Sequence, residues 1–258
     1  MRPRTGNIAA VLASAALLSA AAARGETENW VKAFSLEGVD RVRVENVNGR
    51  VHASSWDKPY VRISAVKTGS PRALEHTIIR ATQKAGEIRI ETVGPRHHSF
   101  FHLIIGGDHM ARVDYDVLLP ARTNLKLESV NGSVSSEGCA GELSVETVNG
   151  RAEVHDSRGS VRAETVNGRI EISAADCSHD IRLETVNGTI EALCPADASL
   201  RYHLETVNGH LEAAGRTPSG RSFGPKDLSG EIAGGHAHFS AESVNGSITL
   251  KLAETAAK

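Results

Sequence analysis

A five-residue phrase, Glu-Thr-Val-Asn-Gly, recurs along this 258-residue chain and constrains its fold more than any other feature. Identical copies end at Gly150, Gly168, Gly188 and Gly209, and looser copies end at Gly49, Gly132 and Gly246. From Gly132 to Gly209, successive glycines lie 18, 18, 20 and 21 residues apart. Self-similarity at a short and regular period is the signature of a repeat architecture.

Apolar residues alternate with polar ones on both sides of each phrase. Ile181 and Leu183 precede one copy, and Ile190 and Ala192 follow it. Alternation with period two is typical of strands with one buried face. Asn-Gly between two strands tolerates positive φ, so we expect a sharp, left-handed corner at each copy. The predicted structural corners are Asn48, Gly49, Asn131, Gly132, Asn149, Gly150, Asn167, Gly168, Asn187, Gly188, Asn208, Gly209, Asn245 and Gly246.

Two architectures fit a strand–corner–strand unit. In a two-residue hairpin, Glu184 would lie directly opposite Glu191, and like charges in that position are destabilising. In a β-solenoid (β-helix), each coil of about 18–21 residues pairs with the coils above and below it. Identical residues then form ladders, with Arg162, Arg182 and Arg201 near the stacked glutamates to offset their charge. The pattern favours the all-β solenoid and leaves the hairpin open.

The chain begins with features of a secretory signal peptide. Arg2 and Arg4 precede an apolar Ala/Leu/Val run, which ends in small residues at Ala23. A membrane anchor is the alternative, but the run is short of the ~20 strongly apolar residues that a span requires. Cleavage would make the mature chain two charges more negative than the formal −2. We therefore expect an exported protein, periplasmic or at the cell surface, that binds no nucleic acid and inserts in no membrane.

The pattern divides the chain into four parts. Residues 1–23 form the signal peptide, 24–120 a less regular strand-rich part, 121–252 the regular coils and 253–258 a tail. Ser70-Pro71 predicts a short helix over 71–76, and strands at 78–82 and 88–92 are predicted to pair around 84–86. The Gly/Pro-rich stretch 214–235 is expected to be a long exposed loop. The final coil, 236–252, is expected to close the end of the stack.

Residues 94–110 interrupt the repeats and carry aromatic and histidine side chains. His97, His98, Phe100, Phe101 and His102 are the predicted contact loop, because surface loops carry binding disproportionately. The histidine spacing matches no standard zinc site, so the sequence predicts no metal and no other cofactor.

Three cysteines occur in a chain that we expect to be exported. Cys177 follows Gly168 by nine residues and Cys194 follows Gly188 by six, which places both in links of successive coils. Adjacent coils stack at about 4.8 Å, so a Cys177–Cys194 disulfide is a candidate that leaves Cys139 free. Three buried, reduced thiols are the alternative.

The repeated glutamate invites an enzymatic interpretation, because glycoside hydrolases use paired carboxylates. A catalytic pair is singular and has unequal surroundings, whereas here every coil carries the same glutamate. An acidic face of this kind could bind cations or a basic partner. No nucleophile elbow, zinc-protease, P-loop or dinucleotide motif occurs.

The signal peptide, the Trp56-Asp57 turn, the strand leading into Pro120 and the repeated Val-Asn-Gly phrase together resemble the bacterial "putative adhesin" domain family. The resemblance covers roughly residues 30–252 and implies an exported β-solenoid of the cell envelope, of unknown function. It supplies no catalytic or cofactor-binding residues. We expect a non-enzymatic, adhesin-like binding or scaffolding module whose partner is an envelope or surface protein or glycan. The alternative is a carbohydrate-active enzyme, a polysaccharide lyase or glycosidase, on the same scaffold.

Overall fold

The computed structural model describes residues 26–94, 110–218 and 224–254, and the regular secondary structure within them is nearly all β-strand. In chain order the first ten strands are β1 (Glu26–Ser35), β2 (Arg41–Asn48), β3 (Val51–Trp56), β4 (Tyr60–Gly69), β5 (Ile78–Lys84), β6 (Glu87–Val93), β7 (Arg112–Pro120), β8 (Asn124–Asn131), β9 (Val134–Glu137) and β10 (Leu143–Asn149). The others are β11 (Ala152–Ser157), β12 (Val161–Asn167), β13 (Ile170–Ala174), β14 (Ile181–Asn187), β15 (Ile190–Cys194), β16 (Leu200–Asn208), β17 (Leu211–Ala213), β18 (Lys226–Ile232), β19 (Ala237–Asn245) and β20 (Ile248–Leu252). A short helix, α1, spans Pro71–His76, as the sequence predicts.

The strands form two ten-stranded mixed sheets. Sheet 1 has the order β1-β4-β7-β3-β9-β11-β13-β15-β20-β17, and sheet 2 has the order β18-β16-β19-β14-β12-β10-β8-β2-β6-β5. Pairing is parallel through the middle of both sheets, whereas β1, β4, β5 and β18 add antiparallel pairs near the ends. The parallel core and the antiparallel ends together make the sheets mixed.

Each repeat contributes one strand to each sheet. The strand before the Asn-Gly joins sheet 2 and the strand after it joins sheet 1, so the two strands are not paired as a hairpin. Neighbouring repeats pair in register, with Glu146 beside Glu164 and Asn149 beside Asn167. The same register joins the first repeat to the second, where Asn48 lies beside Asn131. Equivalent residues therefore form rows across the sheets.

The hydrophobic core lies between the two sheets. One continuous cluster contains the inward-facing residues of nearly every strand, which alternate with outward-facing ones along each strand. Most members are small or branched aliphatic residues, and the largest fully buried side chains are Tyr115, Tyr202 and Phe239. A core this thin agrees with an aromatic content of only 4%.

The corner glycines are required for a different reason from the one that the sequence suggests. Only Gly49, with φ of +116°, has positive φ among the seven, so the expected left-handed corner is wrong for the other six. A Cβ added to Gly188 would overlap the carbonyl oxygen of Gly168 and lie 2.7 Å from its carbonyl carbon. The other stacked corners are equally close. Glycine is needed because successive corners pack backbone against backbone.

The last repeat does not close the stack, contrary to expectation. Strand β19 lies between β14 and β16, and β20 lies between β15 and β17. The C-terminal repeat is therefore an internal one, and the preceding repeat, β16–β17, lies nearer the end. Strand β18 then covers β16 in sheet 2.

The stretch 214–235 is not a long loop throughout. Its second half forms β18, which pairs antiparallel with β16 from Leu200↔Ile232 to Thr206↔Lys226. Leu228 and Ile232 pack against the core, which gives this strand an apolar anchor. Most of the glycines and prolines that predicted a loop lie before Lys226, at Gly215, Pro218, Gly220, Gly224 and Pro225.

Candidate functional site

The outer face of sheet 2 carries a groove of about 690 Å³ that runs across the repeats from β8 to β18. We call it the outer groove. Its floor consists of two rows of side chains, one of glutamates and one of valines, and Pro225, Lys226 and Asp227 line its far end. The glutamates form one row and the valines another because adjacent strands pair in register. Both rows lie on the outer face because residues two apart on a strand point to the same side.

The glutamate row extends well beyond the groove. Eight glutamates occupy equivalent positions on adjacent strands, and the antiparallel strand β18 adds Asp227 beside the last of them. In spatial order they are Glu91, Glu45, Glu128, Glu146, Glu164, Glu184, Glu242 and Glu205. Adjacent strands are ~4.8 Å apart, so the carboxylates repel one another unless cations separate them.

At the end nearer the N-terminus, basic side chains neutralise the row. Arg43 holds Glu128 through two hydrogen bonds, of 2.6 and 3.1 Å, and Arg89 contacts Glu45 at 2.7 Å. Lys126 bridges Glu128 at 3.3 Å and Glu146 at 2.7 Å. Glu45 and Glu128 are nearly buried, with side-chain exposures of 10% and 7%. At this end each carboxylate therefore has a basic partner within the protein.

Burial and ion pairing act in opposite directions in this network. Burial acts to lower the pKa of Arg43, but the Glu128 hydrogen bond and nearby carboxylates raise it overall. Burial also raises the pKa of Glu128, against the lowering effect of Arg43 and Lys126. The raised pKa of Arg43 favours the ion pair, whereas the raised pKa of Glu128 opposes the ionised carboxylate. The raised pKa of Glu128 decides how that carboxylate titrates, because it is the more buried partner.

The middle of the row is partly neutralised. Arg162 pairs with Glu164 and reaches Glu184 at 3.5 Å, while Arg182 pairs with Glu184 at 2.5 Å. Arg201, expected to serve the same purpose, pairs instead with Glu231 on β18. The basic row therefore stops short of the far end.

The far end of the groove has three carboxylates on consecutive strands and little basic charge. Glu242, Glu205 and Asp227 occupy one register position. Arg182 lies 4.0 Å from Glu242, and His203 Nε2 lies 3.0 Å from Glu205. In the part of the chain that the structure describes, Asp227 has no ion pair, since Lys226 donates instead to the Gly209 carbonyl. Negative charge is therefore concentrated here.

The valine row runs beside the glutamate row, two residues further along each strand. Val166, Val186, Val244 and Val207 are 40–43% exposed, although they stand on a sheet face. Val148 continues the row along the groove. A line of half-exposed branched residues is an apolar strip that is available to a partner.

The asparagine corners form a continuous hydrogen-bonded ladder beside the valines. Each Nδ2 donates to the Oδ1 of the asparagine in the neighbouring repeat, over 2.9–3.1 Å. Behind it, Thr147 and Thr206 donate to the carbonyls of Gly132 and Gly246. The asparagine side-chain amides are hydrogen-bonded to one another, so their role at the corners is structural.

The family is decided by a match over most of the chain. The family model for Toastrack DUF4097 matches residues 35–251, a span that includes all seven repeats and both sheets. This chain belongs to the Toastrack DUF4097 family. The sequence has no significant match among curated proteins.

Solved structures resemble the Toastrack chain at low sequence identity. A "putative cell adhesion protein" from Clostridium sporogenes has a TM-score of 0.51 and 15% identity, over 88% of this chain and 100% of that one. A "putative adhesin" from Bacteroides fragilis has a TM-score of 0.43 and 9% identity, over 86% and 97%. The first of these likenesses indicates a common fold.

In the Toastrack chain, Cys177, in the link after β13, and Cys194, the last residue of β15, form a disulfide. Cys139 is a free, buried thiol, and burial raises its pKa. His97, His98, Phe100, Phe101 and His102, the predicted contact loop, lie outside the described residues. Within the described ranges, no group of three or more His, Cys, Asp or Glu residues is placed to hold a metal ion. Nor does any described helix have the length and apolar character to cross a membrane.

Sequence reasoning identified the stacked glutamates but missed the far end of the groove. Asp227 lies in the stretch assigned to a loop, and its position beside Glu205 depends on β18 pairing with β16. Alternation in Leu228, Gly230 and Ile232 is weak, because a glycine occupies the middle position. The sequence signal that could have predicted strand β18 is the apolar pair Leu228 and Ile232.

Proposed function

We propose that this Toastrack protein is an exported, non-enzymatic β-solenoid that acts as an adhesin-like binding or scaffolding module of the bacterial cell envelope. The observation that carries the proposal is the outer groove, where five repeats present the same carboxylate and the same half-exposed valine. A repeated surface of this kind suits an elongated partner, because each repeat adds one equivalent set of contacts.

Three observations support the solenoid and its location. Spatially adjacent repeats pair in parallel and in register in both sheets, which is the arrangement that a two-sheet coil requires. A solved structure with a related fold is described as a "putative cell adhesion protein". The basic and apolar start of the sequence is typical of an export signal.

The repetition of the groove argues against catalysis. Catalytic carboxylates form a singular pair in a cleft, whereas in the groove the same glutamate, followed two residues later by the same valine, recurs in five repeats. His203 bonds Ser229 over 2.8 Å and Glu205 over 3.0 Å, which resembles a catalytic triad. Similar histidine–serine pairs join His52 to Ser135 and His236 to Ser199. The contact is therefore a recurrent surface pair.

Binding to isolated cell envelopes tests the proposal. The chain lacking residues 1–23 is labelled with a fluorophore and titrated onto envelope fractions, with excess unlabelled protein as competitor. We expect saturable binding that the unlabelled protein displaces. Replacing Val166, Val186 and Val244 by serine should weaken it, whereas serine at Thr249 of sheet 1 should not. Linear, non-saturable binding would contradict the proposal, and so would turnover of an envelope polysaccharide that one substitution abolishes.

A further inference from the structure

The two rows of the outer groove differ in chemistry and run side by side. Glutamates occupy one row and half-exposed valines the other, both continuous across the strands from β10 to β16. A ligand lying along the groove meets negative charge on one side and apolar surface on the other. An extended chain has this symmetry, since its successive side chains point to opposite sides.

Charge complementarity specifies the polar side of that ligand. Arg162 and Arg182 offset the middle carboxylates, whereas Glu242, Glu205 and Asp227 have only a distant arginine and one histidine between them. Lys226, the nearest lysine, is held by the Gly209 carbonyl at 2.7 Å. The charge that is missing from this end of the groove is positive.

The apolar row excludes a simple polycation as the best occupant. Four of the five valines are 40–43% exposed, and their burial contributes only if apolar groups cover them. The five strands that carry these valines span four inter-strand gaps, roughly 19 Å at ~4.8 Å per gap. An extended chain of about six residues covers that distance at ~3.3 Å per residue.

We propose that the outer groove binds an extended peptide segment of about six residues in which basic and apolar side chains alternate. The basic side chains lie on the glutamate row, most strongly at Glu242, Glu205 and Asp227, and the apolar ones lie on the valine row. This inference rests on the proposed function, since it names the partner of the same surface.

The test uses synthetic peptides. A labelled Lys-Val-Lys-Val-Lys-Val peptide is titrated with the chain lacking residues 1–23, and fluorescence anisotropy is measured. Peptides with Glu in place of Lys, or Ser in place of Val, are the ligand controls. We expect only the first peptide to bind appreciably. Its affinity should fall as salt shortens the screening length from ~10 Å at 0.1 M to ~3 Å at 1 M.

Isosteric variants assign the contacts. Glu205→Gln, Asp227→Asn and Glu242→Gln in one protein should weaken binding about tenfold, the sum of three exposed charge contacts. Glu153→Gln, Glu171→Gln and Glu191→Gln remove an equivalent stacked row from sheet 1 and should leave affinity unchanged. Circular dichroism confirms that both proteins are folded.

Each other outcome overturns a stated part of the proposal. Equal affinity for the Lys-Val and Glu-Val peptides would remove the role of charge, and equal affinity for the Lys-Ser peptide would remove that of the valines. If no peptide binds while envelope binding persists, the partner is of another class and the proposed function stands. If neither a peptide nor the envelope fraction binds, the proposed function is contradicted as well.

Discussion

At the residue scale, the corner glycines show how a repeated sequence controls the distance between repeats. The Gly188 amide donates to the Asn245 carbonyl over 3.0 Å, and its Cα faces the Gly168 carbonyl with no space for a Cβ. Asparagine and glycine have separate tasks at each corner, since one bonds laterally and the other permits close approach. The sequence shows that glycine recurs at the corners. It does not show whether the corner needs tolerance of positive φ or the lack of a Cβ.

Gly188→Ala should destabilise the protein by about 1–3 kcal/mol, the usual cost of overpacking. The added methyl group overlaps backbone atoms, which cannot rotate away. Gly38→Asn is the matched control, because Gly38 has φ of +67° and open space around it, and asparagine tolerates that conformation. Urea denaturation measures both. A stable Gly188→Ala protein would show that the corners can separate.

Glu128 predicts a pH dependence of stability. Burial raises the pKa of this carboxyl in the folded state, so the folded protein binds the proton more tightly than the unfolded chain. The stabilisation is complete below the ordinary glutamate pKa of about 4.3 and is lost as pH rises through the raised value. The wild type should therefore gain stability relative to Glu128→Gln between about pH 7 and pH 4.

Asp114→Asn provides the opposite sign for comparison. Partial burial acts to raise the pKa of Asp114, but hydrogen bonds from Arg112 and the Arg50 amide lower it overall. Its contribution is present above the ordinary aspartate pKa of about 3.9 and is lost as pH falls through the lowered value. Denaturation at several pH values measures both variants, and the same trend in the two would contradict the assignment.

At the scale of elements, period-two alternation predicted most strands and Ser70-Pro71 predicted helix α1, because local burial patterns and capping residues determine such elements. The order of the repeats was not predictable in the same way. Each repeat presents almost the same residues to its neighbours, so β16 could stack on β14 as readily as β19 does. What differs is the connection, since residues 214–236 are long enough to let the final repeat return between its predecessors. At the joint that this creates, Tyr202 of β16 and Phe239 of β19 are register neighbours, and both are buried.

Removing the last repeat should release the one before it. A chain ending at Gly235 lacks β19 and β20, the parallel neighbours of β16 and β17. We expect the amide hydrogens of β16 that face β19 to exchange rapidly while those of β12 remain protected. A chain ending at Glu254 is the control, because it keeps both strands. Continued protection of β16 in the shorter chain would show that it docks directly on β14.

At the scale of the whole molecule, the core is a thin continuous layer with a covalent link between repeats. The Cys177–Cys194 disulfide closes a loop with a sequence separation of 17, and such a loop stabilises a fold by about 3 kcal/mol. A Cys177→Ala, Cys194→Ala protein should lose that amount in urea denaturation. Cys139→Ala should remain sensitive to reductant, since it retains the bond. Equal stability of wild type with and without reductant would contradict this.

One part of the outer groove could be predicted from the sequence and another part could not. Its acidic row follows from repetition alone, because the same phrase in register on adjacent strands places Glu146, Glu164 and Glu184 in one row. Its far end depends on a pairing between β16 and β18 for which residues 226–232 carry a weak pattern. Long-range pairing of that kind is decided by packing in three dimensions.

The position of the C-terminal repeat has a consequence for how the chain matures. A polypeptide is synthesised, and threaded through any export channel, from its N-terminus onwards. Strands β16 and β17 leave first, and their partners β19 and β20 follow only after residues 214–236. A chain that stops before β19 therefore lacks these partners and presents an unpaired sheet edge that other chains and proteases can recognise.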